Sequence, residues 1–173
     1  HIKEIHLGGG TPTFFKPENL AQLLETILST SILCSDAELS FEAHPNNTTD
    51  KHLQLLYDLG FRRLSLGIQD FDEKVQHIIN RVQSYESVLQ VTQHARNIGY
   101  TSVNYDLIYG LPLQTVKSIR QTIEKVIELK PDRIAFYSYA HVPWIKPGQR
   151  KFTEADLPEG ATKRVLYEIG REE

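Results

Sequence analysis

The sequence predicts an α/β protein built on a parallel β-sheet covered by helices. Three observations carry this. Short apolar runs recur along the chain, each is followed by a longer stretch with apolar residues at helical spacing, and no hairpin signal joins two strands directly. Repeated β-then-α order at about thirty residues per unit is the scale of a βαβ crossover, which makes strands parallel. Two architectures share this order: an open doubly wound sheet, and an open or closed (β/α) barrel.

The elements follow in order. Ile2 to Leu7 is a β-type run that ends in three glycines. Pro17 to Thr30 is a helix, with Leu20, Leu23, Leu24, Ile27 and Leu28 on one face and Pro17 suited to its first turn. Leu39, Phe41 and Ala43 alternate along a second strand, Glu38 to Ala43. Asp50 to Leu59 is a helix stopped by Gly60, and Arg63 to Ile68 a third strand. Asp72 to Ile98 holds two helices with a break near Ser84, an N-cap candidate. Ser102 to Ile108 is a fourth strand, Val116 to Leu129 a helix stopped near Pro131, and Arg133 to Tyr139 a fifth strand. An irregular stretch with three prolines leads to a last helix, Ala155 to Ile169, weakened by Gly160.

The 173 residues make one domain of ordinary size, with 40% apolar residues to build a core. A net charge of −3 argues against a strongly basic nucleic-acid binder and gives no reason to expect membrane adsorption. No stretch approaches the about 18 apolar residues of a spanning helix, and no signal peptide opens the chain, so a cytoplasmic location is expected. The single cysteine, Cys34, excludes an intramolecular disulfide framework and any multi-cysteine metal or cluster site within this chain. Methionine is absent, the chain opens on a run typical of an interior strand, and it stops inside an expected helix. A piece of a larger protein is therefore expected.

In both architectures chemistry collects at the carboxyl ends of the strands, and unusual residues fall there. The first strand ends in Gly8-Gly9-Gly10-Thr11-Pro12. Three ordered glycines cost conformational entropy, which is repaid where a backbone turns sharply or admits a ligand to bare amides; the plain alternative is a tight turn that binds nothing. The second strand ends in Glu42-Ala43-His44-Pro45, where Glu42 and His44 share a face. Glu42 can hold a cationic ligand, whereas His44 fits a loop role better. At the third strand end Gln69 can both donate and accept, and Asp70 suits the N-cap of the next helix. Arg81, after Asn80, sits in a break between helices and can clamp a carboxylate or simply face solvent. Asp106 is a carboxylate in the apolar run of the fourth strand, so a polar partner or ligand is expected. The fifth strand runs into Tyr139-Ala140-His141-Val142-Pro143. His77 and His94 on helices, and Cys34, read as bland, and no Ser-His-Asp order or metal-ligand spacing occurs. A ring of carboxylates, an amide and a glycine-rich turn would surround a polar ligand, a zwitterion or a sugar with cationic character.

These segments together resemble a known family. Gly8-Gly9-Gly10-Thr11-Pro12, Glu42 with Pro45, Leu66 to Phe71, Asn80-Arg81 and Asp106 to Pro112 occur in this order in the radical S-adenosylmethionine enzymes of tetrapyrrole synthesis. Tyr139-Ala140-His141-Val142-Pro143 followed by Gln149-Arg150-Lys151 resembles the oxygen-independent coproporphyrinogen III oxidase family specifically. The resemblance covers essentially the whole chain. It implies a partial (β/α) barrel of the radical S-adenosylmethionine type, residues 1–173, with parallel strands, outer helices, and the first strand and C-terminal domain missing.

The resemblance further implies that Gly9, Gly10 and Thr11 receive the methionyl end of S-adenosylmethionine, and that Glu42 and Gln69 hold its ribose and polar parts. Arg81 would pair with a carboxylate, Asp106 would meet a hydroxyl or the sulfonium side, and Ile108 and Ala140 would line the adenine site. The implied chemistry uses a reduced 4Fe–4S cluster and a 5′-deoxyadenosyl radical to convert two propionates of coproporphyrinogen III to vinyl groups, giving protoporphyrinogen IX. The implied partners are coproporphyrinogen III and an electron donor, with no nucleic acid and no membrane. The cluster motif C-x-x-x-C-x-x-C lies upstream of the triple glycine in the family and is not in this chain, so the chain by itself is expected to be inactive. His44 stands where many members carry an acidic residue. Lys146, Arg150 and Lys151 are candidates for the substrate carboxylates, against a solvated basic loop. The rival within the family is a haem-binding chaperone, in which the segment after the fifth strand differs from the one found here.

Overall fold

The computed structural model describes residues 1–172. Five strands form one sheet in the order β1-β2-β3-β4-β5, which leaves β1 and β5 as its edges. They are β1 Ile2–Leu7, β2 Leu33–Ala43, β3 Arg63–Gln69, β4 Ser102–Tyr109 and β5 Arg133–Ser138. The helices are α1 Pro17–Ser29, α2 Asp50–Asp58, α3 Glu73–Ile78, α4 Tyr85–Ile98, α5 Val116–Leu129 and α6 Gly160–Glu172. The β1–β2 and β2–β3 pairings are parallel, as repeated β-then-α order requires. No described helix is long and apolar enough to cross a membrane.

The chain divides into two compact units. The first comprises residues 1–67, 86–105 and 131–133. Its strands are two-sided. Leu39, Phe41 and Ala43 of β2, Leu64 and Leu66 of β3, and Val103 and Tyr105 of β4 are buried, as are Leu24, Leu53, Leu56 and Val88 of the helices. Phe41 is fully buried, with the rings of Phe61 and Tyr100 edge-on at 6.1 and 6.0 Å. The residues between them carry polar side chains: Asn104 donates to Ser65 (2.7 Å), and His6 of β1 meets Ser40 (2.9 Å). Alternation thus produces an apolar face under the helices and a polar face opposite. Thr49 starts α2 with a capping box closed by His52, whose other ring nitrogen reaches the Phe15 carbonyl at 2.8 Å.

The second unit comprises residues 68–85, 106–130 and 134–173. Its core joins Ile68 and Phe71, Leu107 and Leu111, the apolar face of α5 (Ile119, Ile123, Val126, Leu129), and Leu166 and Ile169 of α6. Thr115 and Ser118 close a capping box at the start of α5, and left-handed Lys130 ends it.

Two expected boundaries differ by five residues. β2 begins at Leu33 rather than Glu38, because Leu33 pairs with Ile2 of β1 and the strand continues through a register shift until pairing resumes between Glu4 and Glu38. The last helix begins at Gly160 rather than Ala155: a 3₁₀ turn over Glu154–Asp156 precedes Pro158, and the helix starts only beyond it.

Candidate functional site

In the first unit β1 ends at the triple glycine. A Cβ on Gly8 would lie 2.8 Å from His6 Nε2 and 3.1 Å from Glu42 Oε1, so this position has no room for a side chain. Gly9 and Gly10 adopt φ of 81° and 148°, and a Cβ on either would meet open space. Here glycine serves the backbone conformation and leaves exposed amides beside an open region. Thr11 precedes the 3₁₀ turn Pro12–Phe14, whose Phe14 amide donates to the Thr11 carbonyl; the Thr11 hydroxyl makes no cap hydrogen bond. Glu42 lies on the polar face of β2, half-buried, with Oε1 3.6 Å from His6 Nε2. His44 does not extend this row. It caps the turn at Pro45–Asn47, its Nδ1 accepting from the Asn46 amide at 3.1 Å.

In the second unit a cavity of about 280 Å³ is lined by Gln69, Arg81, Ile108, Tyr139 and Lys146, among others. Gln69 closes β3 with a left-handed φ of 67°. Asn80, also left-handed at 55°, ends the turn after α3 and delivers Arg81, whose amide donates to the Gln76 carbonyl at 2.8 Å. The Arg81 guanidinium is half-buried, and burial lowers its pKa while the charge of Asp106 opposes that shift. Asp106 and Ile108 share the half-buried face of β4, opposite fully buried Leu107. The Tyr139 hydroxyl is shielded from solvent without a hydrogen-bond partner, and burial raises its pKa. The loop beyond is tied by Gln149, which accepts from the Val142 amide (2.5 Å) and donates to the Ala140 carbonyl (3.1 Å).

The expected site residues therefore fall as follows. Gln69, Arg81 and Ile108 line one cavity, and Asp106 acts electrostatically on Arg81. Gly9, Gly10, Thr11 and Glu42 belong to the first unit. Ala140 is exposed and outside the lining residues, with only its carbonyl engaged. Of the three basic candidates, Lys146 lines the cavity; Arg150 instead donates to the Pro143 carbonyl at 3.1 Å, and Lys151 is exposed.

Asp70 is a correction. The N-cap of α3 is Asp72, which accepts from the Lys74 and Val75 amides. Asp70 is fully buried, because the left-handed turn at Gln69 redirects the chain inward, and burial raises its carboxyl pKa. The sequence signal for Tyr139 was only an aromatic, polar strand exit.

The residues fit a zwitterionic nucleoside. The cavity offers an apolar wall at Ile108, an amide at Gln69 and a guanidinium for a carboxylate at Arg81, on which the charge of Asp106 acts. They do not fit an iron–sulfur cluster. Such clusters are held by several thiolates, the chain has one cysteine, and among the described residues no group of three or more His, Cys, Asp or Glu could hold a metal ion.

The model of the Radical SAM superfamily matches residues 1–126. The oxygen-independent coproporphyrinogen III oxidase of Helicobacter pylori strain J99 is 45% identical over 168 residues, covering 96% of this chain and 37% of that protein. The Escherichia coli K12 protein of the same description is 43% identical over 163 residues, 94% of this chain and 36% of its own length. The structure of coproporphyrinogen III oxidase (HemN) from Escherichia coli, described as a radical SAM enzyme, superimposes with a TM-score of 0.93 at 42% identity, over 97% of this chain and 39% of that one. Elp3 from the archaeon Methanocaldococcus infernus has a TM-score of 0.66 at 19% identity, covering 98% of this chain and 40% of its own, which is a likeness of fold alone. The chain thus spans a little over a third of the length of the curated relatives. Its fold is a partial (β/α) barrel with a parallel sheet and flanking helices. The chain belongs to the radical SAM superfamily and is closely related to the oxygen-independent coproporphyrinogen III oxidases.

Proposed function

We propose that this chain supplies the cofactor-binding barrel of an oxygen-independent coproporphyrinogen III oxidase. The observation that carries the reading is the cavity lined by Gln69, Arg81 and Ile108, in a chain 45% identical to such an oxidase over 96% of its residues. In each round of the proposed reaction a propionate would give one hydrogen atom to the adenosyl group of one S-adenosylmethionine and one electron to an acceptor outside this chain, and would release carbon dioxide to leave a vinyl group. Two rounds convert coproporphyrinogen III to protoporphyrinogen IX. S-adenosylmethionine, when bound, supplies the hydrogen-abstracting chemistry. The cluster ligands and the electron donor lie outside what this chain provides.

The chain's own residues bind and orient. The amides of Gly9 and Gly10 and the Thr11 hydroxyl receive the methionyl end, and Glu42 and Gln69 hold the ribose and polar parts. Arg81 takes a carboxylate bidentately, and its partial burial strengthens that pairing. Asp106 balances Arg81 and accepts from a hydroxyl or attracts the sulfonium. Ile108 serves the adenine and excludes water. Lys146, on the same cavity wall, is the basic residue best placed for a substrate carboxylate.

The test uses the full-length, cluster-loaded protein that carries this chain, with an electron acceptor present. Anaerobic incubation with S-adenosylmethionine, a reductant and coproporphyrinogen III is expected to release two molecules of carbon dioxide per protoporphyrinogen IX formed. Stoichiometric haem binding with no carbon dioxide release would assign the barrel to a haem-binding chaperone instead.

A further inference from the structure

The fully buried carboxylate of Asp70 follows directly on Gln69, whose left-handed backbone is one that side chains other than glycine rarely adopt. Asp70 Oδ1 accepts from the Asp72 amide and the Thr122 hydroxyl, each at 2.7 Å. Its Oδ2 accepts from Gln114 Nε2 at 2.5 Å. The same Gln114 amide nitrogen donates to the Ile108 carbonyl at 3.0 Å. Gln114 Oε1 accepts from the Gly110 amide at 2.6 Å and the Leu111 amide at 3.3 Å. One buried side chain therefore holds the exit of β4 on both sides and is itself held by the carboxylate at the exit of β3. Gln69 and Ile108, at those two exits, line the same cavity.

We infer that Asp70 is a positioning residue that, through Gln114, fixes the backbone at Gln69 and Ile108 in the geometry that binds the nucleoside, an inference that rests on the cofactor reading above. A buried carboxylate is a poor way to gain stability, since an apolar group of similar volume commonly serves as well. Its particular use here lies in hydrogen-bond polarity. Both carboxylate oxygens accept, as Asp72, Thr122 and Gln114 require. An Asn in its place brings an NH₂ against one of those donors. Rotating the Gln114 amide to compensate turns its own NH₂ onto the Gly110 amide. The conflict is passed from one strand end to the other, which makes Asp70 and Gln114 one device.

The experiment is calorimetric titration of this chain with S-adenosylhomocysteine, alongside the thermal midpoint of each variant. Asp70→Asn and Gln114→Ala are each expected to weaken binding about tenfold or more, and the double variant no further than either alone. Thr122→Val removes a donor to the same carboxylate but no contact with β4. It is expected to lower the midpoint while keeping affinity within twofold. A folded Asp70→Asn protein with affinity within twofold of the parent, when Gln69→Ala has lost binding, overturns the positioning role and leaves the cofactor reading standing. So do additive losses in the double variant. Parental affinity in Gln69→Ala overturns the cofactor reading itself. If Asp70→Asn fails to fold, Gln114→Ala decides on the same thresholds.

Discussion

Arg81→Ala is expected to weaken binding of S-adenosylmethionine or its homocysteine analogue about 30-fold, with little change in thermal midpoint. Removing one member of a desolvated charge pair costs about 2–5 kcal/mol. Arg81 is only half-buried, which places the loss at the lower end. At about 1.4 kcal/mol per decade, about 2 kcal/mol is roughly 30-fold. Two effects add. The ligand carboxylate loses a bidentate partner, and the charge of Asp106, which acts on Arg81, is left to repel it. Arg81→Lys keeps the charge but not the planar fork and is expected to restore less than half of the lost binding energy. Equilibrium dialysis of the three proteins checks this, and an Arg81→Ala affinity within threefold of the parent would remove Arg81 from the site.

The largest expected loss of stability is at Phe41. Its ring is fully buried, between Phe61 and Tyr100, on the face of β2 opposite Glu42. Phe→Ala at such a site costs about 3–5 kcal/mol, from the lost transfer energy and the cavity left behind. The edge-on ring contacts add to the loss. For a chain of this length the thermal midpoint is expected to fall by roughly 10 °C. Denaturant titration of the first unit's signal measures the same quantity, and a cost under about 1 kcal/mol would show that Phe41 lies outside the packed interior.

Much of the fold was legible because its signals are local. Leu39, Phe41 and Ala43 alternate, Ile119, Ile123 and Val126 recur at helical spacing, and Gly60 punctuates. What was not legible depended on partners or on backbone sign. Ser35 and Asp36 give no strand pattern, yet β2 runs through them, because Leu33 pairs with Ile2 of β1 on the far side of a register shift. Asp70 is the expected N-cap of α3 and Asp72 the observed one. Only the left-handed φ of Gln69 sends the first inward and leaves the second to cap α3.

The site divides in the same way. Gln69, Arg81 and Ile108 came from strand ends and a motif, and the cavity collects them. Ala140 came from the motif alone and stands exposed, since its fixed contact is a backbone carbonyl. Tyr139 and Gln114 were missed because a shielded hydroxyl and a shared amide are properties of three-dimensional neighbours.

The most direct measurement is an amide chemical-shift titration of the isotopically labelled chain with S-adenosylhomocysteine. Saturable shifts at Gly9, Gly10, Gln69, Arg81 and Ile108, all fitting one dissociation constant, are the predicted result. Saturable binding whose shifts avoid those residues, or no shifts at millimolar ligand, would contradict the assignment of these strand ends to a nucleoside site.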